Sequence, residues 1–241
     1  MLFRYVTFLG YFFTFATVAF SQTNFVEISV INSERCIISN GTPNHEIGSF
    51  PNKGNPNKFR AQKIKICVDA VPKKKGSLTW NTNGSGIAIT GIILRPGTAD
   101  YFDETSRRGF SRNPASGWNL EGLGPGNSLG VDHENGHVDH RGLYHYHGLA
   151  ASLRDSLTSS LFGFAADGFE IHYIGSSVKS SWKLRKGTRP TNPYGAYDGK
   201  FNEDYEFIRG IGDLDECNGK IWNGRYVYFA TETYPFFPRC F

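Results

Sequence analysis

The chain has 241 residues and a net charge of only +4, from 26 basic and 22 acidic side chains. A balance this even, with one short basic run at Lys73-Lys74-Lys75 between Pro72 and Gly76, lacks the wide basic face that nucleic-acid binding needs. Past the N-terminal segment, no stretch approaches the roughly 20 apolar residues of a membrane span.

The first segment carries Arg4 as its only charge, then an apolar and aromatic run from Tyr5 to Phe20 ending in Ala19-Phe20-Ser21. This reads as a secretory signal peptide over 1–21, leaving a single domain over 22–241 in an extracellular, periplasmic or cell-surface location. All four cysteines, Cys36, Cys67, Cys217 and Cys240, follow that site, and an even number in an oxidising compartment reads as disulfides. Four cysteines allow three connectivities; Cys36–Cys67 and Cys217–Cys240 are preferred because each joins segments near in sequence. Asn40-Gly41-Thr42 and Asn83-Gly84-Ser85 match the glycosylation sequon.

Candidate strands follow in chain order at Phe25–Ile31, Gln62–Val68, Ile87–Leu94, Leu161–Ala165, Glu170–Ile174 and Tyr226–Ala230. Lys63-Ile64-Lys65-Ile66 alternates with the period of two of a strand with one wet face. Between Gly97 and Gly130, prolines, glycines and polar residues predict a long irregular loop. Leucines every fourth residue from Leu149 to Leu161 allow one short helix. With 28 glycines and 15% aromatic residues, the expected class is all-β or β-dominated, with sandwich-like sheets, long loops and at most short helices.

Between these elements, Asp132 to His147 holds five of the seven histidines. Imidazole is the commonest protein ligand for transition metals, so the cluster is a candidate metal or proton-handling site. The tail carries a second copy of its pattern. Asp132-x-x-Asn135-Gly136-His137 followed by Gly142-x-Tyr144-His145-Tyr146-His147 aligns with Asp215-x-x-Asn218-Gly219-Lys220 followed by Gly224-x-Tyr226-Val227-Tyr228-Phe229. A three-residue loop His140-Arg141-Gly142 in the first copy and an Asn223-Gly224 turn in the second absorb the one-residue difference. His137 then faces His145 and Asn135 faces His147, as Lys220 faces Val227 and Asn218 faces Phe229. Alternation puts His145 and His147 on one strand face with His137 opposite, and the tyrosines on the other. The shared residues read as hairpin scaffold; the three histidines are what differ.

Three imidazoles in this pattern can hold copper or zinc and leave a position open. Candidates for a further ligand, or for a carboxylate that orients one, are Asp132, His133, Glu134, Asp167 and His172. His140, at the loop tip, and His45, in a polar loop, are expected to be incidental. Gly126-Asn127-Ser128-Leu129-Gly130 fits a nucleophile elbow but has no helix behind it. Asp132-x-Glu134-Asn135-Gly136 lacks the Gly and Glu positions of a calcium hand.

The run Gly142-Leu143-Tyr144-His145-Tyr146-His147-Gly148 resembles the YHYH domain family. The likeness extends through Gly163-Phe164-Ala165-Ala166-Asp167-Gly168-Phe169, Leu214-Asp215-Glu216-Cys217-Asn218-Gly219 and Tyr234-Pro235-Phe236-Phe237-Pro238-Arg239-Cys240-Phe241, covering Ile87 to the C-terminus. It implies an exported protein and brings no reaction with it. Family members often continue Pro-Ile-Tyr-Gly after Asp-Gly-Phe, where this chain has Glu170-Ile171-His172-Tyr173. Two functions stand side by side from sequence: a secreted protein binding copper or zinc through His137, His145 and His147, or a non-catalytic extracellular or surface interaction module with structural histidines. No nucleic acid and no membrane span are expected as partners; a small-molecule or extracellular partner is left open.

Overall fold

The computed structural model describes residues 23–80, 84–126 and 129–241; the expected signal segment and the sequon at Asn83 lie outside them in whole or part. Among the described residues strands dominate, with one short α-helix. In chain order, β1 (Val26–Ile31), β2 (Glu34–Ser39) and β3 (Ile64–Asp69) form an antiparallel sheet. The hairpin β4 (Gly86–Ala88) and β5 (Ile93–Leu94) follows, then a three-stranded sheet of β6 (Gly97–Phe102), β7 (Phe110–Ser111) and β8 (Asn119–Glu121). Next come the hairpin β9 (Gly136–Val138) and β10 (Tyr144–Tyr146) and helix α1 (Ala151–Ser156). A further hairpin, β11 (Leu161–Ala165) and β12 (Glu170–His172), precedes the pair β13 (Trp182–Leu184) and β14 (Tyr205–Phe207) and the closing hairpin β15 (Gly219–Trp222) and β16 (Arg225–Phe229).

Two expectations need correction. Ile87–Leu94 is not one strand: the chain reverses at Gly91, φ +82°, and Ala88 N–H donates to Ile92 O across the turn. The stretch 97–130 is not wholly irregular, because Trp118 and Leu120 bury against Phe201 and hold β8 to β6. Strands β4, β5, β7 and β8 have only two or three residues, too short to show a period, and the six of β6, Gly-Thr-Ala-Asp-Tyr-Phe, show no apolar alternation.

Four of these hairpins build one eight-stranded sheet in the order β15-β16-β12-β11-β4-β5-β10-β9. Its two halves repeat each other. In each, an antiparallel hairpin (β4–β5 or β11–β12) pairs in parallel with the second strand of a later hairpin (β10 or β16). At the centre β4 runs antiparallel to β11 with Gly86↔Ala165, Ile87↔Phe164 and Ala88↔Gly163. The first hairpins also match in sequence: Gly86-Ile87-Ala88-Ile89-Thr90-Gly91 against Gly163-Phe164-Ala165-Ala166-Asp167-Gly168. Under that alignment the central pairing maps onto itself when the halves are exchanged. Glycine is required on both sides of it: a Cβ at Gly86 would lie 2.1 Å from Phe164 O, and one at Gly163 2.5 Å from Ile87 O.

Alternation assigns the two faces of this sheet. One packs Ile92, Leu94, Tyr144, Tyr146, Phe162, Ile171 and Tyr228 into the main core, covered by Leu153 of α1 and by Phe237 and Cys240 of the tail. The opposite face carries Ile87 and Phe164 at its centre, under Ile37 of β2. At one end of that face Val227 and Phe229 join Val178 and Leu214 in a small apolar cluster; at the other end the equivalent positions are histidines. Disulfides join Cys36 to Cys67, paired across β2 and β3, and Cys217 to Cys240, which ties the tail to the last hairpin. Among the described residues no helix is long and apolar enough to cross a membrane.

Candidate metal centre

The two late hairpins have the anticipated register. His145 pairs with His137, His147 N–H donates to Asn135 O at 2.8 Å, Lys220 pairs with Val227, and Phe229 N–H donates to Asn218 O at 2.8 Å. The first closes over His140-Arg141-Gly142 with Gly142 at φ +89°; the second closes on Asn223 and Gly224 at φ +49° and +77°. These are the left-handed conformations that three- and two-residue hairpin loops require.

Asp132 and Asp215 play one role in the two copies. Asp132 accepts from the backbone N–H of Glu134 and Gly136 at 3.0 Å and from the Tyr144 hydroxyl at 2.9 Å. Asp215 accepts from Cys217 N–H at 3.1 Å, Gly219 N–H at 2.9 Å and the Tyr226 hydroxyl at 2.7 Å. Asn135 and Asn218 take positive φ, +57° and +65°, inside these turns. On the outer side of β9, the Val138 carbonyl accepts from the side-chain amides of both Asn55 and Asn57 at 2.9 Å.

On the other strand face the three imidazoles meet. Ring centroids lie 4.6 Å apart for His137–His145 and His137–His147 and 5.0 Å for His145–His147. His145 and His147 are each 2% exposed, and His137 is partly buried. Each Nδ1 faces a backbone carbonyl: His137 to Leu129 O at 2.9 Å, His145 to Leu143 O at 3.3 Å, His147 to Pro96 O at 3.3 Å. A carbonyl only accepts, so these contacts place the proton on Nδ1 and leave Nε2 as the lone-pair donor. The Nε2 atoms of His137 and His147 stand 3.1 Å apart, and one ligand atom from each of the three rings lies within 4.8 Å of the others.

Burial holds all three imidazoles below the ordinary histidine value, His145 and His147 well below it. For His145 the neighbouring rings push the same way. Burial thus favours the neutral form, the one that ligates, more strongly than in a free imidazole. Asp139, despite the cost of burial, is kept below the usual carboxylate range by the N–H groups of Arg141 and Leu143 and by Arg95. The histidines open into a cleft of about 550 Å³ that Arg95, Asp100, Arg112, Asp139 and Arg141 also line.

The sequence model of the family described as YHYH protein matches residues 65–241. The chain belongs to the YHYH protein family. No curated protein and no solved structure matches the chain. Within the YHYH motif itself the tyrosines are fully buried in the main core and the histidines lie in the cluster on the opposite face.

The other residues singled out from sequence lie elsewhere. Asp132 serves the hairpin turn on the tyrosine face. Glu134 is turned to the start of α1, where it accepts from the N–H and hydroxyl of Ser152. His133 is exposed beside Glu134, and His140 is exposed at the loop tip. Asp167 accepts from the Tyr228 hydroxyl at 2.9 Å, and His172 bonds Ser160 and Glu170; both belong to the other half of the sheet. None of these carboxylates orients a ring of the cluster. Backbone carbonyls do so: Leu129 and Pro96 from neighbouring loops, and Leu143 from two residues before His145 on its own strand. His45 is not incidental: its ring stacks on Tyr146, at 5.9 Å and 23°, and bonds the hydroxyl.

Sequence reasoning missed Gly122 and the pair behind it. A Cβ at Gly122 would lie 2.1 Å from His147 Nδ1, so glycine is what lets that loop lie against the ring. Next to it Glu121, 1% exposed, pairs at 2.8 Å with Arg239 of the tail. The only available signals were a glycine-rich loop and one arginine in the closing motif. A second group of metal-binding residue types, Glu34 with Cys36 and Cys67, is spent, since its two sulfurs are bonded to each other.

Proposed function

We propose that this is an exported protein that holds one divalent transition-metal ion, copper or zinc, on the Nε2 atoms of His137, His145 and His147. The observation carrying the proposal is that every Nδ1 of the three rings is turned to a carbonyl, while the Nε2 atoms of His137 and His147 meet and a ring nitrogen of His145 lies within 4.8 Å of a ring nitrogen of each. Two neutral imidazoles in that tautomer, with Nε2 atoms 3.1 Å apart, set lone pair against lone pair, an arrangement that a shared cation relieves. Tetrahedral coordination at about 2.0–2.1 Å implies nitrogen separations of roughly 3.4 Å, so small ring movements complete the fit. Three neutral donors leave a fourth position facing the cleft, and nitrogen ligands suit copper and zinc. Bound there, the ion would supply a Lewis-acidic or redox centre to whatever occupies that position.

The chain's own residues do the rest. Leu129, Leu143 and Pro96 carbonyls hold the rings, Gly122 lets the wall close on His147, and burial keeps protons off the donors. Export is supported by the two disulfides, which persist in oxidising compartments, together with the N-terminal apolar run. Elemental analysis of protein stripped with chelator and reloaded is expected to give one copper or zinc per chain, and none for the double variant His145→Ala, His147→Ala. Absence of stoichiometric metal in the wild type would sink the reading.

A further inference from the structure

Arg95 follows the last residue of β5, and its N–H donates to Tyr146 O at 2.8 Å, which fixes it beside the strand that carries His145 and His147. Its position in the repeat corresponds to His172 in the other half, where both ring nitrogens are engaged. Arg95 is engaged only in part. Nη1 reaches Asp139 Oδ2 at 3.3 Å, and Nε is buried without a hydrogen-bond partner. Asp139 is shared, since Arg141 Nη2 also lies 3.3 Å from the same oxygen. The cleft thus has three guanidinium groups, Arg95, Arg112 and Arg141, against the carboxylates of Asp100 and Asp139. The excess is positive before any ion enters.

A guanidinium is permanently charged and presents its N–H groups as a planar fork matched to carboxylate and phosphate. One that lines a cleft of ligand size, keeps 23% of its side chain exposed and spends itself on a single, shared carboxylate oxygen is a built half of an oxyanion site. The other half is the open side of the histidine cluster. We infer that the cleft takes the oxyanion of a small molecule, a carboxylate or a phosphate, with one oxygen toward the open metal position and another on Arg95. This rests on the metal reading above and adds the ligand class.

The test uses the full mature chain loaded with Co²⁺, whose visible absorption reports its ligands. Metal content is measured first, and then inorganic phosphate and acetate are titrated separately. The expected result is a saturable spectral change in the wild type. In Arg95→Met the metal content is unchanged but the anion binds at least 10-fold more weakly; Arg95→Lys, which keeps the charge and loses the fork, falls between. Tighter binding of phosphate assigns a phosphate-bearing ligand, and tighter binding of acetate a carboxylate. Failure to take up metal overturns the proposed function and this inference with it. Full metal uptake with no anion response, or an Arg95→Met response equal to wild type, overturns the inference alone.

Discussion

The hairpins β9–β10 and β15–β16 are the same object built twice, at opposite ends of one sheet. Each has an aspartate that accepts two backbone N–H groups and a tyrosine hydroxyl, a left-handed asparagine, and a parallel partner strand from an earlier hairpin. On the face where Val227 and Phe229 complete an apolar cluster with Leu214 and Val178, the first hairpin places His145 and His147, with His137 across from His145. The apolar end stabilises through burial alone, at about 1.5–3 kcal/mol for each large side chain. The imidazole end gives up part of that and buries polar nitrogens that need partners. Folding does not require histidine there, because the second hairpin folds on the same scaffold without it. That contrast is the strongest argument that the three histidines serve chemistry.

The comparison can be broken most directly by exchange. Replacing His137, His145 and His147 by the residues of the other hairpin, as His137→Lys with His145→Val and His147→Phe, is expected to abolish metal binding and leave the circular dichroism spectrum unchanged. Unfolding of this variant would mean that the histidines are scaffold after all. Next in size are the aspartates. Asp132→Ala and Asp215→Ala each strip several charge-assisted hydrogen bonds and orphan a tyrosine hydroxyl, and each should cost on the order of 3 kcal/mol in denaturant unfolding. Only Asp132→Ala should also weaken metal uptake, so equal effects of both on the metal would contradict the division of labour.

A smaller effect is expected from Gly122→Ala. The added methyl must displace the His147 ring, and metal affinity should fall about 10–100-fold, the usual consequence of disturbing what orients a ligand. Competition against a chromophoric chelator would measure it. Smallest is the pH dependence of the metal-free protein. Burial lowers the three imidazoles below the roughly 6.5 of an unfolded chain. In the window below that value the unfolded state binds more protons, so stability is complete above about pH 6.5 and is lost as the pH falls toward the folded values. Thermal unfolding from pH 7 to 4.5 should show this slope in the wild type and a shallower one in the three-residue exchange.

The hairpin register was legible in the sequence because two copies with turns of different length had to agree, and because alternation separates His145 and His147 from Tyr144 and Tyr146. The disulfide pairing was legible from proximity along the chain. What orients the rings was not. Leu129, Leu143 and Pro96 act through backbone carbonyls, which every residue type carries equally, and the Pro96 contact spans 51 residues. Carboxylates such as Asp132 looked like natural partners for imidazole, yet a nearby backbone rich in unpaired N–H groups claims them first. The duplication of the whole sheet was hidden for a related reason. Its first hairpins share only small residues and a turn, a pattern whose meaning appears when Gly86 and Gly163 are seen facing each other's strands.

The strand that carries His137 is also the last in its sheet, and a terminal strand with free carbonyls is a template on which a neighbouring chain can pair and aggregate. Asn55 and Asn57 spend their side-chain amides on the outward Val138 carbonyl. They take the acceptor that an incoming strand would need and offer no continuous ladder in return. The edge that carries His137 is thereby closed to fibril-like growth, so a protein this rich in β-structure can keep its histidine cluster near an accessible cleft without turning that edge into an adhesive surface.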